Sequence, residues 1–103
     1  MKKIDLSIIV PIYNEEESII ELYQQIIHAI QNKLTYELIF INDGSTDSSF
    51  SVINELLLKD NNVKMISFTC NKGKSEALNY GFNNSSGNIV ITIDGDLQDD
   101  PME

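Results

Sequence analysis

Four apolar, largely β-branched stretches divide the chain: "DLSIIVPIY", "YELIFIND", "VKMISFT" and "NIVITID". The first is nearly continuous in apolar residues, the pattern of a strand buried on both faces. Between the first two strands Ile19, Tyr23, Ile26, Ile27 and Ile30 recur at helical spacing. After the second strand, Asp47 opens a helix that carries Phe50, Ile53 and Leu57 on one face. The segment "NKGKSEALNYGFNNSSG" contains a short third helix, bracketed by Gly73 and Gly81, with Ala77 and Leu78 packed on the sheet. Strictly alternating strands and helices with brief connections predict an α/β fold. Its parallel, Rossmann-like sheet has helices on both faces, joined by right-handed crossovers.

In such sheets ligands bind beyond the carboxyl ends of the strands. The polar clusters "YNEEE", "NDGSTD", "CNKGK" and "DGDLQDD" all stand at those ends. One shared edge for all of them predicts a site there. Asn14 is expected to cap the first helix, with Glu17 in a capping-box position. Glu15, Glu16 and Glu17 would then saturate that helix's dipole and repel phosphate, which leaves a base or ribose as the better ligand.

In an extended chain residues i, i+2 and i+4 point to one side. Asp94, Asp96 and Gln98 would therefore share a face and offer hard oxygen ligands suited to Mg²⁺ or Mn²⁺. Gly95 between them admits close approach to the backbone. Asp99 and Asp100 are expected to belong to an exposed turn before Pro101. An EF-hand is excluded, because its loop would need glycine where Asp99 stands. A Walker A loop is excluded because Phe68 occupies the position of its first glycine, and no G-x-G-x-x-G follows the first strand.

Lys72 and Lys74 either neutralise part of a diphosphate or are ordinary surface lysines. Tyr13 either stacks on a base or packs. Asp43 either accepts hydrogen bonds from a base or ribose or makes an Asx-turn that starts the second helix. His28, close to the apolar stripe, reads as a surface or packing residue, and Cys70 as a small inert packing residue.

With 103 residues the chain suits one small domain, and 42% hydrophobic and 22% charged residues are those of a globular protein. A net charge of −9 argues against nucleic acid as partner, though a bound cation can reverse the local sign for one small phosphorylated molecule. One cysteine excludes a disulfide framework and a thiolate zinc site, and fits a reduced, cytoplasmic setting. The amino-terminal apolar stretch contains Asp5 and Pro11 and is too short for a signal sequence or a membrane span.

Taken together, "VPIYNEEESI", "INDGSTDSS", "NKGKSEALNYG" and "DGDLQDDP" resemble, in order and spacing, the first half of the family 2 glycosyltransferases. The likeness is strongest to the dolichyl-phosphate mannosyltransferase branch, which includes bacterial enzymes that load sugars onto undecaprenyl phosphate. The resemblance covers nearly the whole chain and implies that residues 1–103 are the nucleotide-sugar-binding half of a GT-A fold, cut before the acceptor half.

By position, Pro11, Tyr13, Asn14 and Glu15 would line the nucleotide pocket, Asp43 would contact the base, and Lys74 would lie near the nucleotide. Asp94 and Asp96 match the family's DxD motif, and Gln98 matches the glutamine that joins them on the metal. Two positions depart from the pattern: Asn42 replaces the first of an aspartate pair, and Cys70 stands where an arginine is common.

The implied reaction is inverting, metal-dependent transfer of a sugar from a UDP- or GDP-linked donor to a polyprenyl phosphate. A glycan hydroxyl as acceptor and a non-catalytic nucleotide-binding module are the alternatives. The resemblance places the full-length protein at the cytoplasmic face of a membrane. The 103-residue chain itself is expected to have little or no turnover. A halved sheet leaves an open edge, which predicts self-association as a homo-oligomer.

Overall fold

The computed structural model describes residues 3–31 and 33–95. Along the chain these form β1 (Leu6–Ile12), α1 (Ile19–Ile30), β2 (Tyr36–Asp43), α2 (Ser49–Lys59), β3 (Val63–Phe68), α3 (Lys74–Asn83) and β4 (Ile89–Thr92). The strands pair in the order β3-β2-β1-β4, and every pairing is parallel. This is the α/β layout expected from the alternating pattern.

The order explains where the helices lie. The crossovers from β1 to β2 and from β2 to β3 step in one direction, so right-handed connections put α1 and α2 on the same face. The third crossover returns past β1 to the other edge and puts α3 on the opposite face. The side chains record this division. Ile8, Val10, Ile12, Leu38 and Phe40 pack against Ile19, Leu22 and Ile26 of α1 and against Ile53 and Leu56 of α2. Ile9, Ile39 and Ile41, which alternate with them along the strands, pack with Phe68 against Ala77 and Leu78 of α3. Residues 8–10 of β1 are all but inaccessible, which is why that strand is apolar at consecutive positions.

Several local expectations are corrected. Asn14 does not cap α1. Its backbone is left-handed, at φ 53°, a conformation that asparagine tolerates, and α1 begins at Ile19 with Ser18 flanking it. Residues 15–18 form a turn closed by the Ser18 N–H on the Glu15 carbonyl at 2.9 Å, so the three glutamates precede the helix, and Glu17 has no capping-box role.

On α2 the buried stripe is Ile53 and Leu56, while Phe50 is exposed. Gly81 lies inside α3, not at its end. A Cβ there would stand 2.5 Å from Ile9 Cγ2, so the missing side chain is what lets the helix sit down on β1. Cys70 is exposed, not a buried packing residue.

At the amino end of the sheet Glu37 is 1% exposed yet fully satisfied. It accepts from Ser7 Oγ at 2.5 Å, Lys64 Nζ at 2.6 Å and the Ser86 N–H at 2.6 Å. The Gly87 N–H in turn donates to Ser7 Oγ at 2.8 Å, so this cluster ties the turn before β4 to β1 and β2. β4 is an edge strand, with Ile89 and Ile91 exposed.

Candidate nucleotide-sugar site

The strand order reverses at β1, between β2 and β4, and the carboxyl ends of the strands open there into a cleft of about 570 Å³. Pro11, Ile12, Tyr13 and Glu15 line it from the end of β1, Asp43 from β2, Asn71, Gly73 and Lys74 from the approach to α3, and Asp94 and Gly95 from beyond β4. Six of the residues singled out from sequence therefore meet: Pro11, Tyr13, Glu15, Asp43, Lys74 and Asp94. Asp96 and Gln98 lie outside the described residues, as do Asp99, Asp100 and Pro101.

Asn14 points elsewhere. Its Oδ1 accepts the Thr46 N–H at 2.8 Å and the Asp47 N–H at 3.3 Å. The return contacts run from the Asn14 N–H to Ser45 Oγ at 3.0 Å and from the Glu15 N–H to Ser49 Oγ at 3.1 Å. The turns after β1 and β2 are thus laced together, and Asn14 shapes the cleft wall from behind. Asp47 belongs to the same lacing. Burial pushes its carboxyl up, but hydrogen bonds from Ser49 and from the Glu16 N–H outweigh that and hold it below the usual carboxylate range.

Asp43 makes no turn into α2; the turn contact is made by Asn42, whose Oδ1 accepts the Ser45 N–H at 3.3 Å. The Asp43 carboxylate instead collects three donors from the loop after β3. They are the Lys72 N–H at 2.7 Å, the Gly73 N–H at 3.0 Å and Asn71 Nδ2 at 3.0 Å. Asn71 also reaches the Asp43 carbonyl at 3.2 Å. Sequence reading gave Asn71 no role; its position one residue before a lysine at a strand end was the available signal. Gly44 completes the junction. Its φ is +69°, and a Cβ there would fall 2.3 Å from the Cys70 carbonyl carbon. Gly95 serves a similar close approach. A Cβ on it would meet Ile12 Cδ1 at 2.5 Å and the Pro11 carbonyl at 2.9 Å, so the missing side chain lets this turn pack against β1 while Gly95 still lines the cleft.

The two lysines part company. Lys72 Nζ lies 4.7 Å over the ring of Phe68 and 5.6 Å from that of Tyr80, a cation–π placement away from the cleft lining. Lys74 points inward and its Nζ meets Asp94 Oδ1 at 2.5 Å. Tyr13 stands 47% exposed at the cleft.

Asp94 is the one member of the expected metal set among the described residues, and no group of three or more His, Cys, Asp or Glu gathers there. Its carboxylate oxygens are hard ligands of the kind that Mg²⁺ or Mn²⁺ takes.

Residues 7–103 match the model of the family described as "Glycosyl transferase family 2". The chain belongs to that family. Among curated relatives, it is 45% identical over 101 residues to the uncharacterized glycosyltransferase YkcC of Bacillus subtilis, covering 97% of this chain and 31% of the relative. It is 46% identical over 100 residues to the bactoprenol glucosyl transferase of Shigella phage SfV, covering 95% and 32%. The chain thus spans about a third of the length of these relatives.

Among solved structures, a mannosyltransferase from Pyrobaculum calidifontis in complex with GDP-Man and Mn²⁺ superposes with a TM-score of 0.81 at 26% identity, covering 93% of this chain and 28% of that one. The fold is that of the GT-A glycosyltransferases. Among the described residues no helix is long and apolar enough to cross a membrane.

Proposed function

We propose that this chain is the donor-binding part of a metal-dependent, inverting glycosyltransferase that moves a sugar from a nucleoside diphosphate to a polyprenyl phosphate. The observation that carries the donor reading is the convergence of Tyr13, Asp43, Lys74 and Asp94 on one cleft at the switch point of the sheet. A base would stack at Tyr13. The loop held by Asp43 would present the ribose and diphosphate to Lys74. Asp94, with Asp96 and Gln98 beside it in sequence, would hold Mg²⁺ or Mn²⁺. The solved mannosyltransferase that holds GDP-Man and Mn²⁺ supports a nucleotide-sugar and a divalent ion as the ligands.

When bound, the ion would neutralise charge developing on the departing diphosphate. The chain's own contribution is orientation: a stacked base, a fixed loop and an ammonium that faces the same charge. Polyprenyl phosphate is favoured as acceptor because a relative 46% identical is a bactoprenol glucosyl transferase. Its phosphate oxygen is already anionic, so attack on the anomeric carbon would need no strong base.

Calorimetric titration with UDP- and GDP-sugars, with and without Mn²⁺, tests the donor site. Binding of one nucleotide class that weakens at least tenfold in Asp94→Ala is expected. Absence of binding to both classes would overturn the donor-site reading and the nucleotide-binding alternative alike. With the full-length protein, transfer to a glycan hydroxyl but not to undecaprenyl phosphate would overturn the acceptor assignment.

A further inference from the structure

Lys74 opens α3 and Asp94 follows β4; they are 20 residues apart in sequence, yet Nζ and Oδ1 stand 2.5 Å apart at the cleft. We propose that Lys74 is a resident counter-cation for Asp94. Its ammonium bonds Asp94 Oδ1, a hard oxygen that a bound divalent ion would also take. The ion displaces the ammonium, and the ammonium then turns to the diphosphate. This rests on the reading of the cleft as a donor site.

Ion size, charge and tether carry the argument. Mg²⁺ on a carboxylate oxygen sits at about 2.0–2.1 Å. An ammonium bonded to the same oxygen would then lie a few ångströms from a doubly charged cation, and the two cations repel. The weaker, tethered charge is the one that moves. Lysine suits the exchange, being a compact charge on a flexible stem, and this side chain is 61% exposed, so nothing apolar must be uncovered for it to swing.

Lys72 cannot substitute, because its ammonium is engaged over Phe68 and Tyr80. The root of Lys74 is held in turn by the Asp43 bond to the Gly73 N–H, so the displaced ammonium stays within the cleft. Bare metal must therefore evict a cation to bind. With a diphosphate present the evicted cation gains a partner. Metal and nucleotide consequently strengthen one another's binding, by the same factor in each direction.

The test is Mn²⁺ binding, read by electron paramagnetic resonance of the free ion, to wild type, Lys74→Met and Lys74→Arg, alone and with UDP or GDP. Lys74→Met is expected to bind bare Mn²⁺ about 5–10-fold tighter than wild type, and the factor by which the nucleotide sharpens Mn²⁺ binding is expected to shrink by a similar amount. Lys74→Arg keeps a cation at Asp94 and is expected to retain the weak bare-ion affinity; circular dichroism checks that both variants fold.

Unchanged or weaker bare Mn²⁺ binding in Lys74→Met, or identical behaviour of Met and Arg variants, overturns the proposal and leaves the donor site standing. A wild type that binds neither Mn²⁺ nor either nucleotide removes both.

Discussion

The Asp43 carboxylate grips the Lys72 backbone N–H at 2.7 Å, so the last residue of β2 sets the course of the loop that leads into α3. The same carboxylate holds the Gly73 N–H and Asn71 Nδ2, and it is only 4% exposed. Asp43→Asn would turn one of its oxygens into a donor facing donors. We expect a loss of about 2–3 kcal/mol of stability, the scale of hydrogen bonds to a buried charged group. Because the loop carries Gly73 and Lys74 into the cleft, nucleotide affinity should fall as well. Urea unfolding and a UDP and GDP titration on the same variant check both; a stable variant with weakened binding would give Asp43 a direct ligand contact instead.

Gly44 makes the neighbouring prediction. Alanine there meets a left-handed backbone and the Cys70 carbonyl carbon at 2.3 Å. Left-handed geometry alone costs an alanine roughly 1–2 kcal/mol, and the clash adds to it. Gly44→Ala should therefore lose more stability than that backbone cost alone. A loss no greater than about 1–2 kcal/mol in urea unfolding would refute the close-approach explanation.

These two junctions show what sequence reading reaches and where it stops. The strands were legible because burial on both faces leaves consecutive apolar residues, and β2 was read as "YELIFIND" to the residue. The cleft was legible because a parallel sheet collects its strand ends at one edge. The partners of Asn14 and Asp43 were not. Both side chains bind backbone about 30 residues away, and nothing local marks such a contact. Asn14 looked like a cap because a cap and a cross-loop acceptor use the same carbonyl oxygen. Gly81 looked like a helix end because the Ile9 side chain it accommodates comes from a distant strand.

At the sheet edge, Ile89 of β4 is 62% exposed and Ile91 40% exposed. An exposed apolar edge strand pairs readily with a second copy. The 103-residue chain is therefore expected to sediment with a concentration-dependent mass, and Ile89→Lys with Ile91→Lys should suppress it. A single monomeric species for the unmodified chain at high concentration would rule this out.

Glu37 contributes to acid stability. Burial pushes its carboxyl up, but the hydrogen bonds from Lys64, Ser7 and Ser86 prevail and hold it below its ordinary value of 4.5. A depressed folded-state value means the contribution is present above pH 4.5 and is lost as pH falls through the folded value. Glu37→Gln should therefore be less stable than wild type at pH 7, with the difference narrowing steadily below pH 4.5. Thermal midpoints across that range decide it; a constant difference would mean that packing, not charge, is what the substitution removes.

Alkaline behaviour follows from Asp60, whose Oδ2 accepts the hydroxyls of Tyr23 and Tyr36, each at 2.7 Å, and so joins α1, β2 and the end of α2. Burial, then the hydrogen bond to this carboxylate, push the Tyr36 hydroxyl up to about 12 from an ordinary 10.0. Tyr23 is raised further for the same reasons. A raised folded-state value means the contribution is complete below pH 10.0, where the unfolded tyrosine still keeps its proton, and is lost as pH rises towards about 12. Tyr36→Phe removes a hydrogen bond to a charged group and should cost about 1.5 kcal/mol at neutral pH. It should also flatten the alkaline fall in stability and remove the tyrosinate absorbance component that titrates near 12. Persistence of that component in the variant would assign it elsewhere and would break the link between Asp60 and the alkaline limb.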